Sequence, residues 1–158
     1  RGEAQRARAV VAGAAELLQL ACARACHLGD PCGEVMAARG LALLAETNGE
    51  TDSAFEILAD ARVRCNRLAD PYVWLDGYIL DAQCELGRRH DHPATKLWVD
   101  TMRELASRTG MRELTVRSLL HSAAFGHQGD GAAAAMLAHD IDNPLLDRLL
   151  TTSPAVAD

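Results

Sequence analysis

The residues with the clearest chemical potential are the cysteines and the histidine near the N-terminus. Cys22, Cys26, His27 and Cys32 lie within eleven residues. Thiolates and imidazole are zinc ligands, and one helical turn separates Cys22 from Cys26. The spacing lacks the paired CxxC knuckles of structural zinc sites, however, and cysteine is also a good small filler of an alanine-rich core. We therefore expect packing, free thiols and no metal, since the chain is too large to need disulfides.

Other polar groups offer little for catalysis. His90 and His92 flank Asp91 in a predicted loop, where an HxH sequence binds metals only weakly. The acids Asp76, Asp81 and Glu85 lie near one another on one predicted helix without a base beside them, which favours a solvated face. The sequence contains no phosphate-binding glycine loop, no HExxH and no nucleophile elbow. We predict that the chain is not an enzyme and uses no cofactor.

An aromatic pair is the better candidate for binding. Trp74 and Tyr78 are four residues apart, so they share one side of a helix. Such a pair stacks an apolar ligand or anchors a partner peptide. Tyr78 falls in an apolar stripe with Leu75 and Ala82, which indicates the core, whereas Trp74 projects away from that stripe. Trp74 is therefore a candidate interface residue.

The amino-acid composition indicates which kind of secondary structure positions these side chains. The chain has 158 residues, of which 49% are hydrophobic and only 4% aromatic. A core of alanine and leucine favours closely packed helices over β-sheets. The net charge of −6 argues against nucleic acid as a partner, and no apolar stretch is long enough for a membrane span. We expect a cytoplasmic location.

The sequence repeats itself with a period of forty residues and no gaps. The first matching positions carry Ala14, Ala54, Ala94 and Ala134. Three residues later stand Leu17, Ile57, Leu97 and Leu137, and a further small-residue series is Ala42, Ala82 and Ser122. The spacing within a repeat is helical, so these residues are predicted to pack between helices.

Turn and cap residues divide the chain into eight predicted helices at 3–27, 32–48, 52–68, 72–88, 94–109, 111–127, 131–139 and 143–151. Asp30 and Asp70 are predicted N-caps before Pro31 and Pro71, and Thr51 or Asp52 is predicted to cap the third helix. Short loops make neighbouring helices antiparallel. We predict an all-α, right-handed α-solenoid of helical hairpins, as a single domain over 1–151 with a flexible tail at 152–158.

The segment from Met36 to Leu68 resembles a tetratricopeptide repeat (TPR). Leu41 and Ala42 stand where that family has Leu-Gly. Ala54 and Ala61 match the family's two small positions, and Leu58 matches its large position. The family's Trp and Tyr positions hold Ala38 and Ala45, and the period is forty rather than thirty-four. Longer repeats of this kind are similar to those of large bacterial LuxR-type and related ATP-binding transcriptional regulators.

The resemblance implies a non-enzymatic domain that binds a protein, a peptide or other domains of its parent chain through a groove. The polar groove positions are Arg39, Asp76 and Gln83, with Met36 and Ile79 between them. One alternative is a sensor of a small-molecule effector, and another is a structural spacer. Self-association as a homodimer is also open, because the first and last helices have free stacking faces.

Overall fold

The computed structural model describes residues 2–68, 72–127 and 129–152, with side chains from residue 11 to residue 151. All regular structure in these ranges is α-helical, which confirms the predicted all-α class. The eight helices are α1 (Gly2–Leu28), α2 (Pro31–Thr47), α3 (Thr51–Asn66), α4 (Val73–Arg89), α5 (Thr95–Thr109), α6 (Arg112–Ala123), α7 (Asp130–His139) and α8 (Pro144–Thr152). None of them combines the length and apolar character needed to cross a bilayer.

The end of α6 differs most from its predicted position. The sequence predicts a helix to residue 127, but α6 ends at Ala123. Gly126 has a φ of +82°, a left-handed conformation that a right-handed helix cannot contain. Thr152 lies in α8 rather than in the predicted tail, and residues 153–158 lie outside the described residues.

The helix starts follow the predicted chemistry only in part. Asp30 caps α2 as predicted, since its Oδ1 accepts a 3.1 Å hydrogen bond from the Gly33 backbone N–H, and Pro31 occupies the first turn. The prediction for α3 is wrong, because the capping position is Glu50 and its side chain makes no capping bond. The tight turn at Gly49, with a φ of +84°, starts this helix one residue early. Asp70 and Pro71 lie outside the described residues.

The chain forms two compact units, residues 1–82 and 83–158, and α4 runs through the boundary. In the first unit α1 packs on α2, and α2 packs on α3. Ala42, Ala54 and Ala61 are all at most 1% exposed and lie in the core of this unit. Gly40 of α2 lies so close to Leu18 of α1 that a Cβ would meet its methyl group at 2.7 Å. Small residues therefore set the close approach of these helices.

In the second unit α5 packs on α6, α6 on α7, and α7 contacts α8. Its core includes Val116, Leu120, Ala134, Ala138 and Leu146. At the start of the unit, the end of α4 meets α5 closely at Gly87, where a Cβ would collide with the Thr95 hydroxyl and approach the Trp98 ring to 3.0 Å. Thr95 is held there by a 2.5 Å hydrogen bond from its hydroxyl to the His92 carbonyl oxygen.

The forty-residue repeat is visible in the burial of its small residues. Ala42, Ala82 and Ser122 are 0%, 2% and 2% exposed, at equivalent places in α2, α4 and α6. The aliphatic series divides into two pairs. Leu17 and Leu97 are 69% and 65% exposed, against the prediction that they pack, whereas Ile57 and Leu137 are half-buried. The next residue along each helix makes the contact instead: Leu18 lies against Gly40, and Trp98 lies against Gly87. Leu17 and Leu97 point 100° away from these contacts around their helices.

Candidate binding surface

Arg39 connects α2 with α4. Its Nε donates a 3.2 Å hydrogen bond to the Tyr78 carbonyl oxygen, and a terminal nitrogen lies 3.9 Å from Asp81 Oδ2. The hydrogen bond orients the planar guanidinium, and the nearby carboxylate of Asp81 attracts its charge. About a quarter of the side chain remains accessible. Arg39 is thus a positioned surface cation and a tie between two helices.

Two apolar side chains lie one helical turn before this contact. Met36 precedes Arg39 on α2, and Trp74 precedes Tyr78 on α4. Met36 is 39% exposed and Trp74 is 37% exposed. The Trp74 ring meets the Tyr78 ring edge-on, with a centroid distance of 6.0 Å and an interplanar angle of 84°. We call Met36, Arg39 and Trp74 the 36/39/74 surface.

Asp76, a predicted groove residue, is instead 9% exposed and paired. Its Oδ1 accepts a 2.8 Å hydrogen bond from Arg62 Nε on α3. Asp81 is equally buried and lies near Arg39. The prediction of a solvated acidic face is therefore wrong for Asp76 and Asp81, because a carboxylate leaves water at a large cost unless a cation accompanies it.

The other two predicted groove residues are also inside the protein. Ile79 is fully buried, and Gln83 is 4% exposed. Within the described residues, Gln83 Oε1 is a buried oxygen without a hydrogen-bond donor. The predicted site therefore separates into Met36, Arg39 and Trp74 at the surface and Asp76, Ile79 and Gln83 in the interior.

The sequence does not indicate the partners of these groups. No sequence pattern links Arg62 with Asp76, or Arg39 with the Tyr78 carbonyl oxygen. One signal was available: α4 places Asp76, Asp81 and Gln83 among apolar residues, and carboxylates on a buried helix require cations from its neighbours.

The cysteines do not form a common site. Cys26 is exposed, contrary to the prediction of core packing, whereas Cys22 and Cys32 are half-buried and Cys65 and Cys84 are buried. Burial, and then the charge of Asp76, raise the pKa of the Cys65 thiol, whose Sγ donates to the Tyr72 carbonyl oxygen at 3.8 Å. In the part of the chain that the structure describes, no three His, Cys, Asp or Glu residues are grouped to hold a metal ion.

A second charged contact lies in the unit 83–158. Arg103 of α5 donates to Asp130 Oδ2 at 2.5 Å and to the Ser122 hydroxyl oxygen at 3.1 Å. Desolvation raises the pKa of Asp130, but hydrogen bonds from Ser122 and Arg103 outweigh it and hold that pKa below its usual range. Asp130 is also the first residue of α7, where the helix dipole favours a negative charge.

Comparison with known proteins adds no relative to these observations. No protein-family model, curated protein or solved structure matches the chain. The likeness to tetratricopeptide repeats consequently rests on the residues of the chain itself.

Proposed function

We propose that this chain is a non-enzymatic, TPR-like interaction domain of a cytoplasmic bacterial transcriptional regulator, and that it binds a protein or peptide at the 36/39/74 surface. The observation that carries the proposal is the combination of two exposed apolar side chains with an arginine that is already fixed in place. Trp, Met and Arg are the residue types enriched at the centres of protein interfaces.

The fixed geometry matters for affinity. Arg39 is bound to Tyr78 and lies near Asp81, and Trp74 rests against the Tyr78 ring. A partner therefore meets side chains that have lost much of their rotamer freedom before binding, which lowers the entropic cost of the complex. The exposed parts of Met36 and Trp74 supply apolar area, and Arg39 supplies donors for a carbonyl or carboxylate of the partner.

Two features support stacked helical hairpins as the framework of this surface. Ala42, Ala82 and Ser122 are buried at equivalent places in α2, α4 and α6, forty residues apart. Arg39 joins α2 directly to α4, as expected where the first helices of successive hairpins lie side by side. In such an arrangement the first helices line the binding face.

The buried Gln83 favours one second function, the sensing of a small effector. A buried acceptor without a donor is rare in folded proteins, because it has lost its hydrogen bond to water. A small molecule with an N–H or O–H group would satisfy Gln83 Oε1. Such a ligand would act at the interior of the protein rather than at the 36/39/74 surface.

A displayed peptide library, selected on the intact chain, tests the main proposal. The selected peptides should lose at least about tenfold in affinity with Trp74→Ala, a loss of about 1.4 kcal/mol. Met136→Ala is the matched control, since Met136 is 78% exposed on α7 and should leave affinity unchanged. Failure to select any binder, or binders insensitive to Trp74→Ala, would overturn the proposal.

Thermal unfolding against a metabolite library tests the second function. A ligand that binds only the folded protein raises the unfolding midpoint with its concentration. The effector hypothesis predicts a shift from one compound class that Gln83→Leu abolishes and Trp74→Ala does not. A chain that responds to neither library behaves as a structural spacer.

A further inference from the structure

Helix α1 packs on α2 with one face, and it carries three exposed leucines on another. Leu17, Leu20 and Leu28 are 69%, 65% and 68% exposed. At 100° per residue they lie within about 80° of one another around the helix. Ala25, which is 7% exposed, lies beyond this arc and marks the packed side. Three large exposed side chains on one stripe are unusual for a surface that only meets water.

The stripe also carries opposite charges. Glu16 and Arg24 are both exposed, eight residues apart, on or beside the leucine stripe. Neither forms an ion pair within the described part of the chain. A parallel pairing of two such helices would place each charge opposite its own copy, whereas an antiparallel pairing brings Glu16 of each copy near Arg24 of the other.

The side-chain sizes fit the antiparallel pairing as well. With a two-fold axis between Leu20 and Ala21, Leu20 faces Ala21 of the second copy, and Leu28 faces Gly13 of the second copy. Around Gly13 a Cβ would meet nothing within 4 Å, so the position has room for a leucine. In the same register Leu17 lies along the aliphatic stem of the other Arg24. Each large residue thus meets a small or flexible one.

We propose that α1 pairs with α1 of a second copy of this chain, antiparallel and two-fold symmetric about Leu20 and Ala21. The contact is isologous, so one stripe supplies both halves of the interface. From Gly13 to Leu28 the stripe is about 22 Å long at 1.5 Å per residue. An interface of one helix pair is smaller than the standard size of about 1,600 Å², so we expect a micromolar or weaker dimer. This inference is independent of partner binding at the 36/39/74 surface.

Sedimentation equilibrium of the full chain, from about 1 µM to about 1 mM, measures the association. The wild-type chain should pass from monomer to dimer, and Leu17→Glu with Leu20→Glu should remain monomeric over the whole range. Since both leucines are exposed, helix content and the unfolding midpoint should stay close to those of the wild type. A wild-type chain that is monomeric at every concentration would overturn the proposal, as would a dimer that survives the double substitution.

Charge reversal tests the antiparallel register separately. Glu16→Arg alone and Arg24→Glu alone each place like charges together at two symmetric contacts and should weaken the dimer at least about fivefold. An equimolar mixture of the two variants should associate about as tightly as the wild type, because each Arg then meets a Glu, and both reversals in one chain should restore the homodimer. A mixture no tighter than the separate variants would contradict this register.

Discussion

Arg62 Nε donates a 2.8 Å hydrogen bond to Asp76 Oδ1, which joins α3 to α4 across a gap of fourteen residues in sequence. Asp81, five residues further along α4, lies 3.9 Å from Arg39 of α2. Helix α4 thus carries two buried carboxylates, each accompanied by an arginine from a different preceding helix. These pairs specify which helix faces meet α4, because any other docking would bury a carboxylate without its cation.

Asp76→Asn should destabilise the protein by about 1–3 kcal/mol, because a charge-assisted hydrogen bond becomes a neutral one and Arg62 loses its counter-charge. Urea unfolding measures the difference. Asp100→Asn is the control, since Asp100 pairs with Lys96 at 3.1 Å on the exposed surface of α5. That change should cost less than about 0.5 kcal/mol. Equal losses for the two variants would contradict the structural role given to Asp76.

The depressed pKa of Asp130 predicts a specific pH dependence. Unfolded, this carboxyl titrates near the usual aspartate value of about 3.9, while in the folded state it titrates lower. Its contribution to stability is therefore complete above about pH 5 and disappears as the pH falls through the folded pKa. The difference in unfolding midpoint between the wild type and Asp130→Asn should be largest at neutral pH and shrink below pH 4. A difference that is constant from pH 7 to pH 3 would refute this.

Gly87→Ala should destabilise the protein although alanine is the better helix former. The new Cβ would collide with Thr95, which its hydrogen bond to His92 holds in place, and with the Trp98 ring stacked on His92 at 4.7 Å. Overpacking of this kind costs about 1–3 kcal/mol. Gly13→Ala on α1 meets open space and should instead stabilise by about 0.5–1 kcal/mol. Thermal unfolding in dilute solution compares the two, and stabilisation by both would show that α4 and α5 are not in close contact.

The cysteines should react with a thiol reagent in an order set by their exposure. Cys26 is exposed and should be modified first, whereas Cys65 and Cys84 are buried and should react only after unfolding. The raised pKa of Cys65 also keeps its sulfur in the unreactive thiol form. Peptide mapping by mass spectrometry after brief labelling assigns the sites. Rapid labelling of Cys65 in the native protein would mean that α3 and α4 separate readily.

Much of the helical framework was predictable from local chemistry. Local backbone preferences predict the start of α2 at Asp30–Pro31 and the breaks at Gly49 and around Asp91. These preferences do not depend on the rest of the fold. The buried small residues at 42, 82 and 122 followed from the repeat. The forty-residue period indicates that these positions share an environment. Small residues are favoured there because they allow a neighbouring helix to approach closely.

The contents of the candidate site were less predictable. Met36, Arg39 and Trp74 lie at the surface, whereas Asp76, Ile79 and Gln83 are buried. The family pattern predicts which helix face carries these residues, but it does not predict which neighbouring helix covers that face. Arg62 and Asp76 are close in space only after α3 and α4 have docked. The exposure of Leu17 was unpredictable for a similar reason. An apolar side chain favours burial, but its sequence context does not show which surface, if any, covers it.

The buried small residue in each of α2, α4 and α6 constrains how this sequence changes over evolutionary time. One residue inserted within α2 before Ala42 rotates everything beyond it by 100°, turning the alanine away from its contact and a larger side chain towards it. Duplication or loss of a complete forty-residue segment preserves the register on both sides of the joint. Lineages of this chain should therefore differ in length by whole repeats or within the loops, while insertions and deletions inside the helices are purged.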